Sequence, residues 1–176
     1  MQRASRSAWA MVGSAVSLLL GGCVTEGGRE RPELPKPPAD LRVTQVMVAV
    51  GMPEDTDRNQ YLDTYPVTVY LFDDRFPLPV HAEADFSFEM IFRNAQGEVI
   101  DRRRPRWTFP AEEANNRVAR REPGLCFEFR LSLLDHGGDR IDDATGQLEL
   151  TVRPKVGPEV RAQPVAMQSG RISIGR

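Results

Sequence analysis

Past residue 40, apolar and polar side chains alternate with a period of two, and no stretch sustains a helical period. Residues 41–51 (LRVTQVMVAVG) put Val46, Val48 and Val50 on one face and Gln45, Met47 and Ala49 on the other. Residues 65–72 (YPVTVYLF) set Val67, Val69 and Leu71 against Thr68, Tyr70 and Phe72. Both faces are apolar there, which predicts a central strand, with Pro66 tolerated at its start. In residues 84–93, Phe86, Phe88, Met90 and Phe92 share a side opposite Ser87 and Glu89. The turn residues 94–97 (NAQG) before residues 98–101 then form a hairpin signature. Residues 124–134 (GLCFEFRLSLL) point Leu125, Phe127, Phe129, Leu131 and Leu133 inward and Cys126, Glu128, Arg130 and Ser132 outward, and the turn 135–139 (DHGGD) ends the run. Residues 147–152 bury Leu148, Leu150 and Val152, and Ile172 and Ile174 flank Ser173 in a closing strand. Only residues 111–121 (AEEANNRVARR) are helix-like, with almost no apolar stripe.

About seven short strands with turn signals between them and little helix predict an all-β fold. The architecture is a single β-sandwich over residues 41–176, with immunoglobulin-like and transthyretin-like topologies both open. Its 136 residues are enough to bury a sizeable core.

The amino end follows a different pattern. Arg3 and Arg6 precede an apolar run, residues 8–20, and Gly21 and Gly22 lead to Cys23. A charged start, a short apolar stretch and a small-residue exit make a signal peptide, residues 1–22. The run, 13 residues long with Gly13 and Ser14 inside it, falls well short of the roughly 20 that a spanning helix needs. Leu20-Gly21-Gly22-Cys23 resembles the bacterial lipobox. That resemblance implies diacylglyceryl transfer to the Cys23 thiol, cleavage before it, and long acyl chains such as palmitate on sulfur and amine. Two or more chains anchor a protein stably where one does not. In that family an aspartate after the cysteine favours inner-membrane retention. Val24 stands there instead, which implies a cell-envelope location at the outer membrane in preference to the inner.

Residues 24–40 (VTEGGRERPELPKPPAD) carry four prolines, so residues 23–40 form a lipidated, semi-rigid tether. At about 3.1 Å per residue it reaches about 50 Å. Losing Arg3 and Arg6 with the leader takes Lys plus Arg from 23 to 21 against 25 acidic residues, a formal charge of −4. That balance argues against nucleic acid as a partner. With Cys23 lipidated, Cys126 has no cysteine left to pair with.

Candidate chemistry concentrates in residues 55–63 (DTDRNQYLD). Asp55, Asp57, Asn59 and Asp63 stand at positions 1, 3, 5 and 9, with the Tyr61 carbonyl at 7, which is the oxygen spacing a hard cation such as Ca²⁺ requires. The segment is similar to calcium loops of the EF-hand and dockerin type. It departs from them at Gln60, where the turn glycine belongs, and at Pro66, where the bidentate acid belongs. The alternative is an Asx-rich loop that caps its own backbone. Asp73 and Asp74 are too far away to help, since the strand between the two clusters places them at opposite ends of the sheet. A second candidate is Arg102, Arg103 and Arg104 beside Trp107, suited to a phosphate, sugar or headgroup, or else a solvated connection with a core tryptophan.

Catalysis finds little support. His81 and His136 lack metal-ligand spacing, and there is no GxSxG or phosphate loop. Cys126 has the setting of a half-buried structural thiol. The expected role is a non-enzymatic interaction module that needs no cofactor, bound to the membrane through its lipid and to an envelope protein or glycan. Residues 66–71 (PVTVYL) followed by 84–86 (ADF) are similar to strand motifs of the outer-membrane lipoprotein of the type VI secretion membrane complex. That resemblance implies a transthyretin-like sandwich that docks an inner-membrane partner. A third class, a calcium-dependent carbohydrate or adhesion module, would use residues 55–63 and Trp107.

Overall fold

The alternation seen along the chain becomes inside and outside in a computed structural model, which describes residues 35–100, 104–141 and 145–170. In chain order the elements are β1 (Gln45–Val50), β2 (Thr64–Phe72), β3 (Ala84–Arg93), β4 (Arg106–Phe109), α1 (Ala111–Asn115), β5 (Val118–Arg121), β6 (Gly124–Ser132), β7 (Thr145–Pro154), β8 (Val160–Arg161) and β9 (Val165–Met167). One antiparallel sheet has the order β1-β2-β6-β5, and the other β4-β3-β7-β8 with β9 also paired to β7. The two sheets pack against each other, so the fold is an all-β sandwich.

The layers are joined by aromatic side chains. Phe129 of β6 meets Phe86 and Phe88 of β3 at ring-centroid distances of 5.1 and 5.0 Å and Phe109 of β4 at 4.7 Å, and Phe127 meets Phe86 at 4.8 Å. Each fully buried phenylalanine contributes about 1.5–3 kcal/mol of transfer free energy. Such ring pairs add about 0.5–1.5 kcal/mol.

On β2, Val67, Val69 and Leu71 are buried as the alternation predicts, and Tyr70 on the opposite face is buried too. Its hydroxyl donates to the Glu122 carbonyl at 3.0 Å. Cys126 likewise points outward yet is fully buried, more so than its sequence setting suggests.

Three expected elements differ. Residues 98–100 turn back along the end of β3, with the bridge Arg93–Val99 and the Ile100 N–H donating to the Phe92 carbonyl at 2.8 Å, a hairpin too short to count as a strand, and β4 takes over that edge from Glu89. Residues 111–121 split into a single helical turn that buries Ala111 and Ala114, and then β5, which pairs with β6. The expected strand at 172–174 and the tether around Cys23 lie outside the described residues.

Register fixes which loops share an end. Gln45 opposes Phe72, and Thr64 opposes Ser132. The chain therefore enters the sandwich beside the end of β2, near residues 73–83. The loop 51–63, the segment after β6 and the start of β7 gather at the other end, about 30 Å away at about 3.3 Å per strand residue.

Candidate functional site

The loop between β1 and β2 wraps its backbone around its own carboxylates. Asp55 accepts from the Asn59 and Gln60 N–H groups at 3.1 and 2.9 Å, and Asp57 accepts from the Asn59 N–H at 3.1 Å. The Asn59 side-chain carbonyl accepts from the Tyr61 N–H at 2.8 Å. Arg58 and Gln60 take left-handed φ values of 62° and 73°. Gln60 thus lacks the glycine of the calcium-loop pattern but adopts the left-handed conformation that favours glycine there.

Asp63 is wholly buried at the foot of the loop. It accepts from the Thr56 N–H at 2.6 Å, the Thr56 hydroxyl at 2.7 Å, the Asp57 N–H at 3.3 Å and the Thr64 hydroxyl at 2.5 Å. Burial pushes its carboxyl pKa up, but those hydroxyl and backbone donors outweigh burial, and the net shift is downward. Asp57 moves the opposite way: burial raises it, the Asn59 N–H partly offsets that, and the Asp139 and Asp55 charges add to the rise. Asp55, Asp57 and Asp63 each present an oxygen within 4.8 Å of the others.

The structure brings in a fourth carboxylate. After β6 a 3-10 turn, Leu134–His136, runs into Gly137 and Gly138 at φ 91° and 107°, which turn the chain back on itself. Asp139 is thereby buried against the loop, and Asn59 Nδ2 donates to its Oδ1 and Oδ2 at 3.2 and 2.9 Å and to Asp57 Oδ2 at 2.9 Å. Eighty residues separate Asn59 from Asp139. The only advance signal of it was an aspartate closing a Gly-Gly turn.

Asp73 and Asp74 sit at the far end of β2, as strand length requires. Asp73 is buried and held by Arg75, with Nε to Oδ1 at 2.9 Å and Nη2 to Oδ2 at 2.7 Å, and by the Arg42 N–H at 2.9 Å. The Arg75 guanidinium, then that N–H, keep the Asp73 carboxyl well below the usual range. Arg75 also pairs with Asp40 at 3.0 Å, which ties down the chain where it enters the domain.

The arginine–tryptophan candidate divides. Trp107 is buried on β4 with its ring edge-on to His136 at 4.8 Å, while Arg104 and Arg106 reach Glu89 at 3.9 and 2.9 Å on the outer face. Arg102 and Arg103 lie outside the described residues. His81 faces Asn115 Oδ1 at 3.1 Å and stacks on Phe127. The Cys126 sulfur lies 3.6 Å from the Ala119 carbonyl, and burial pushes its thiol pKa up. A cleft of about 460 Å³ at the entry end is lined by Leu41, Arg42, His81, Ala82, Lys155 and Val156. Another of about 360 Å³ lies between β1 and β9, with Gly51, Met52 and Val165 among its walls and Tyr65 in its lining.

No protein-family model matches the chain, and no curated protein does. Among solved structures the chain is similar to the X-ray structure of Northeast Structural Genomics Consortium target SoR45. The two are 12% identical over 75% of this chain and 92% of that one, with a TM-score of 0.33. A likeness at that level carries no argument about fold or function.

Proposed function

We propose that the chain is an acylated envelope lipoprotein whose β-sandwich is a non-catalytic interaction module. The observation that carries this is the position of Cys23, directly after a short apolar run and two glycines and ahead of a proline-rich tether. The fold is compatible with it. The chain enters the sandwich at the Asp40–Arg75 end, and the loops at 51–63 and 133–141 lie at the opposite end of the sheets. Among the described residues the two histidines and the cysteine are dispersed. His81 lies at the entry end and His136 at the other, and Cys126 is sealed in β6.

The test is expression of the full chain in a Gram-negative host with radiolabelled palmitate, beside Cys23→Ser. Label retained on the parent, absent from the variant, and an acylated Cys23 as the N-terminal residue by mass spectrometry support the anchor. Crosslinking in the same membranes should then recover one envelope protein in near-stoichiometric yield with the acylated form. An unlabelled parent chain with residues 1–22 intact would overturn the reading.

A further inference from the structure

Three of the four sheet edges in the sandwich are blunted. β5 is four residues long and closes on the exposed Arg120 and Arg121. β4 opens on the exposed Arg106 and is held between Pro105 and Pro110, and beyond β7 lie only β8, with the exposed Arg161, and the three-residue β9. Short strands, charges and prolines are how sheet edges avoid pairing with another chain. β1 has none of these. It is six residues long, and from Val43 to Pro53 (VTQVMVAVGMP) no side chain is charged.

The register with β2 shows which backbone groups of β1 are free. Gln45, Met47 and Ala49 oppose Phe72, Tyr70 and Thr68, and Gly51, next in that series, donates its N–H to the Pro66 carbonyl at 2.8 Å. In an antiparallel pair such bonded residues alternate with residues whose N–H and C=O point the other way. Those of Val46, Val48 and Val50 therefore point away from β2, and among the described residues no hydrogen bond reaches them. Clefts of about 380 and 360 Å³ separate β1 from the segment 163–168, so that segment leaves the edge open. Met47 is 45% exposed and Met52 86%, two of the four large apolar side chains exposed among the described residues.

We propose that β1 pairs antiparallel with β1 of a second copy, across a two-fold axis at Val48, so that two four-stranded sheets become one continuous sheet. The edge is self-complementary about that point. Val48 pairs with Val48 of the other copy and Val46 with Val50, and each such pair exchanges two backbone hydrogen bonds. On the outer face Met47 lies opposite Ala49, so a long apolar side chain meets a small one on each side of the axis. Arg42 and Glu54, both exposed, stand six residues before and six after Val48. Antiparallel self-pairing sets the basic flank of one edge toward the acidic flank of the other, whereas parallel pairing sets like beside like. A single strand pair is an interface at the small, transient end of the range, so the monomer–dimer equilibrium should fall between about 5 and 500 μM. The pairing does not rest on acylation of Cys23.

The test is sedimentation equilibrium of the full chain in density-matched detergent over that range. The parent should pass from monomer to dimer with no larger species, because each copy has one free edge of this kind. Met47→Lys and Ala49→Glu, both at exposed positions, should each weaken the dimer about tenfold, through lost packing and like charges across the axis. Mixed one to one, the two variants should dimerise again at about the parent's strength, since the new lysine then lies opposite the new glutamate. Val156→Lys, at an apolar position 67% exposed and away from this edge, should leave the dimer unchanged. A parent that is monomeric at every concentration would overturn the proposal. Slow hydrogen exchange of the Val46 and Val48 amides in native membranes alone would then assign the edge to a strand of another protein. A dimer untouched by Met47→Lys, weakened equally by Val156→Lys, or not restored by mixing would overturn the pairing as well.

Discussion

At one end of β2, Asp73 is buried against the Arg75 guanidinium and the Arg42 N–H. At the other, Asp63 is equally buried but is met by two hydroxyls and two backbone N–H groups. Both carboxyls titrate below the ordinary range. The difference lies in what surrounds them. The entry end matches its acid with a cation, so its charge is closed and its task is to hold the chain where it enters the sandwich. The loop end adds Asp55, Asp57 and Asp139 around neutral donors, so negative charge accumulates there, and Asp57 is pushed up rather than down.

Removing the guanidinium is the strongest way to break the contrast. Arg75→Ala leaves Asp73 buried with a charge and only backbone donors, and truncating one partner of a buried pair is strongly destabilising. The expected fall in Tm, by calorimetry, is on the order of 10 °C. A fall no larger than that of Asp63→Asn would remove the contrast between the two ends. Asp63→Asn comes next. An amide keeps one oxygen for the Thr56 and Asp57 N–H groups, which share Oδ2, but turns the acceptor of the Thr56 and Thr64 hydroxyls into a donor, so both hydroxyls must reorient and the charge that all four donors favour is lost. Tm should drop by about 5 °C, and Thr56→Val should lose less because it removes only one hydroxyl.

Acid separates the ends by sign. Asp73 and Asp63 have folded pKa values below the unfolded value of about 3.9, so their contribution is present above that value and is lost as pH falls below it. Asp57 has a raised folded pKa, so its charged form is a penalty above that pKa, relieved as pH falls toward it. In chelator, denaturant melts from pH 6 downward should therefore show Asp57→Asn more stable than the parent near neutrality. The advantage should shrink as pH approaches the ordinary aspartate range. Asp73→Asn should show the opposite, a deficit near neutrality that closes in acid. Parallel curves for the two variants would remove the distinction.

Most of the sandwich was legible because period-two alternation survives wherever a strand is long enough to show it. Val67, Val69 and Leu71, or Phe86, Phe88, Met90 and Phe92, need no tertiary knowledge to be placed inward. Short elements gave no such signal. β8 spans two residues and β9 three, and each exists because β7 offers an open edge. β5 was hidden inside a helix-like stretch because Glu112, Glu113 and Ala114 favour a helix for one turn, after which pairing with β6 overrides propensity. The loop 55–63 was legible as a cation pattern because its donors are contiguous. Asp139 was not, since it arrives by topology from 80 residues away from Asn59.

The smallest expected effect is also the sharpest check on the contrast, because a guanidinium is ion-paired at the base of the loop. Arg130 makes a two-pronged pair with Glu54, Nη2 to Oε2 at 2.6 Å and Nη1 to Oε1 at 3.2 Å, and its charge acts on Asp63 through space. Its side chain is 59% exposed and that of Glu54 44%. Water and salt screen an exposed pair, and ordering two long side chains offsets much of the attraction. Arg130→Met, which keeps the aliphatic stem over the sheet, should shift Tm by no more than about 2 °C, and less still in 0.5 M NaCl. A loss as large as that of Arg75→Ala would show that the loop end, too, is closed by a guanidinium, and the two ends of β2 would then differ only in how far away their arginine stands.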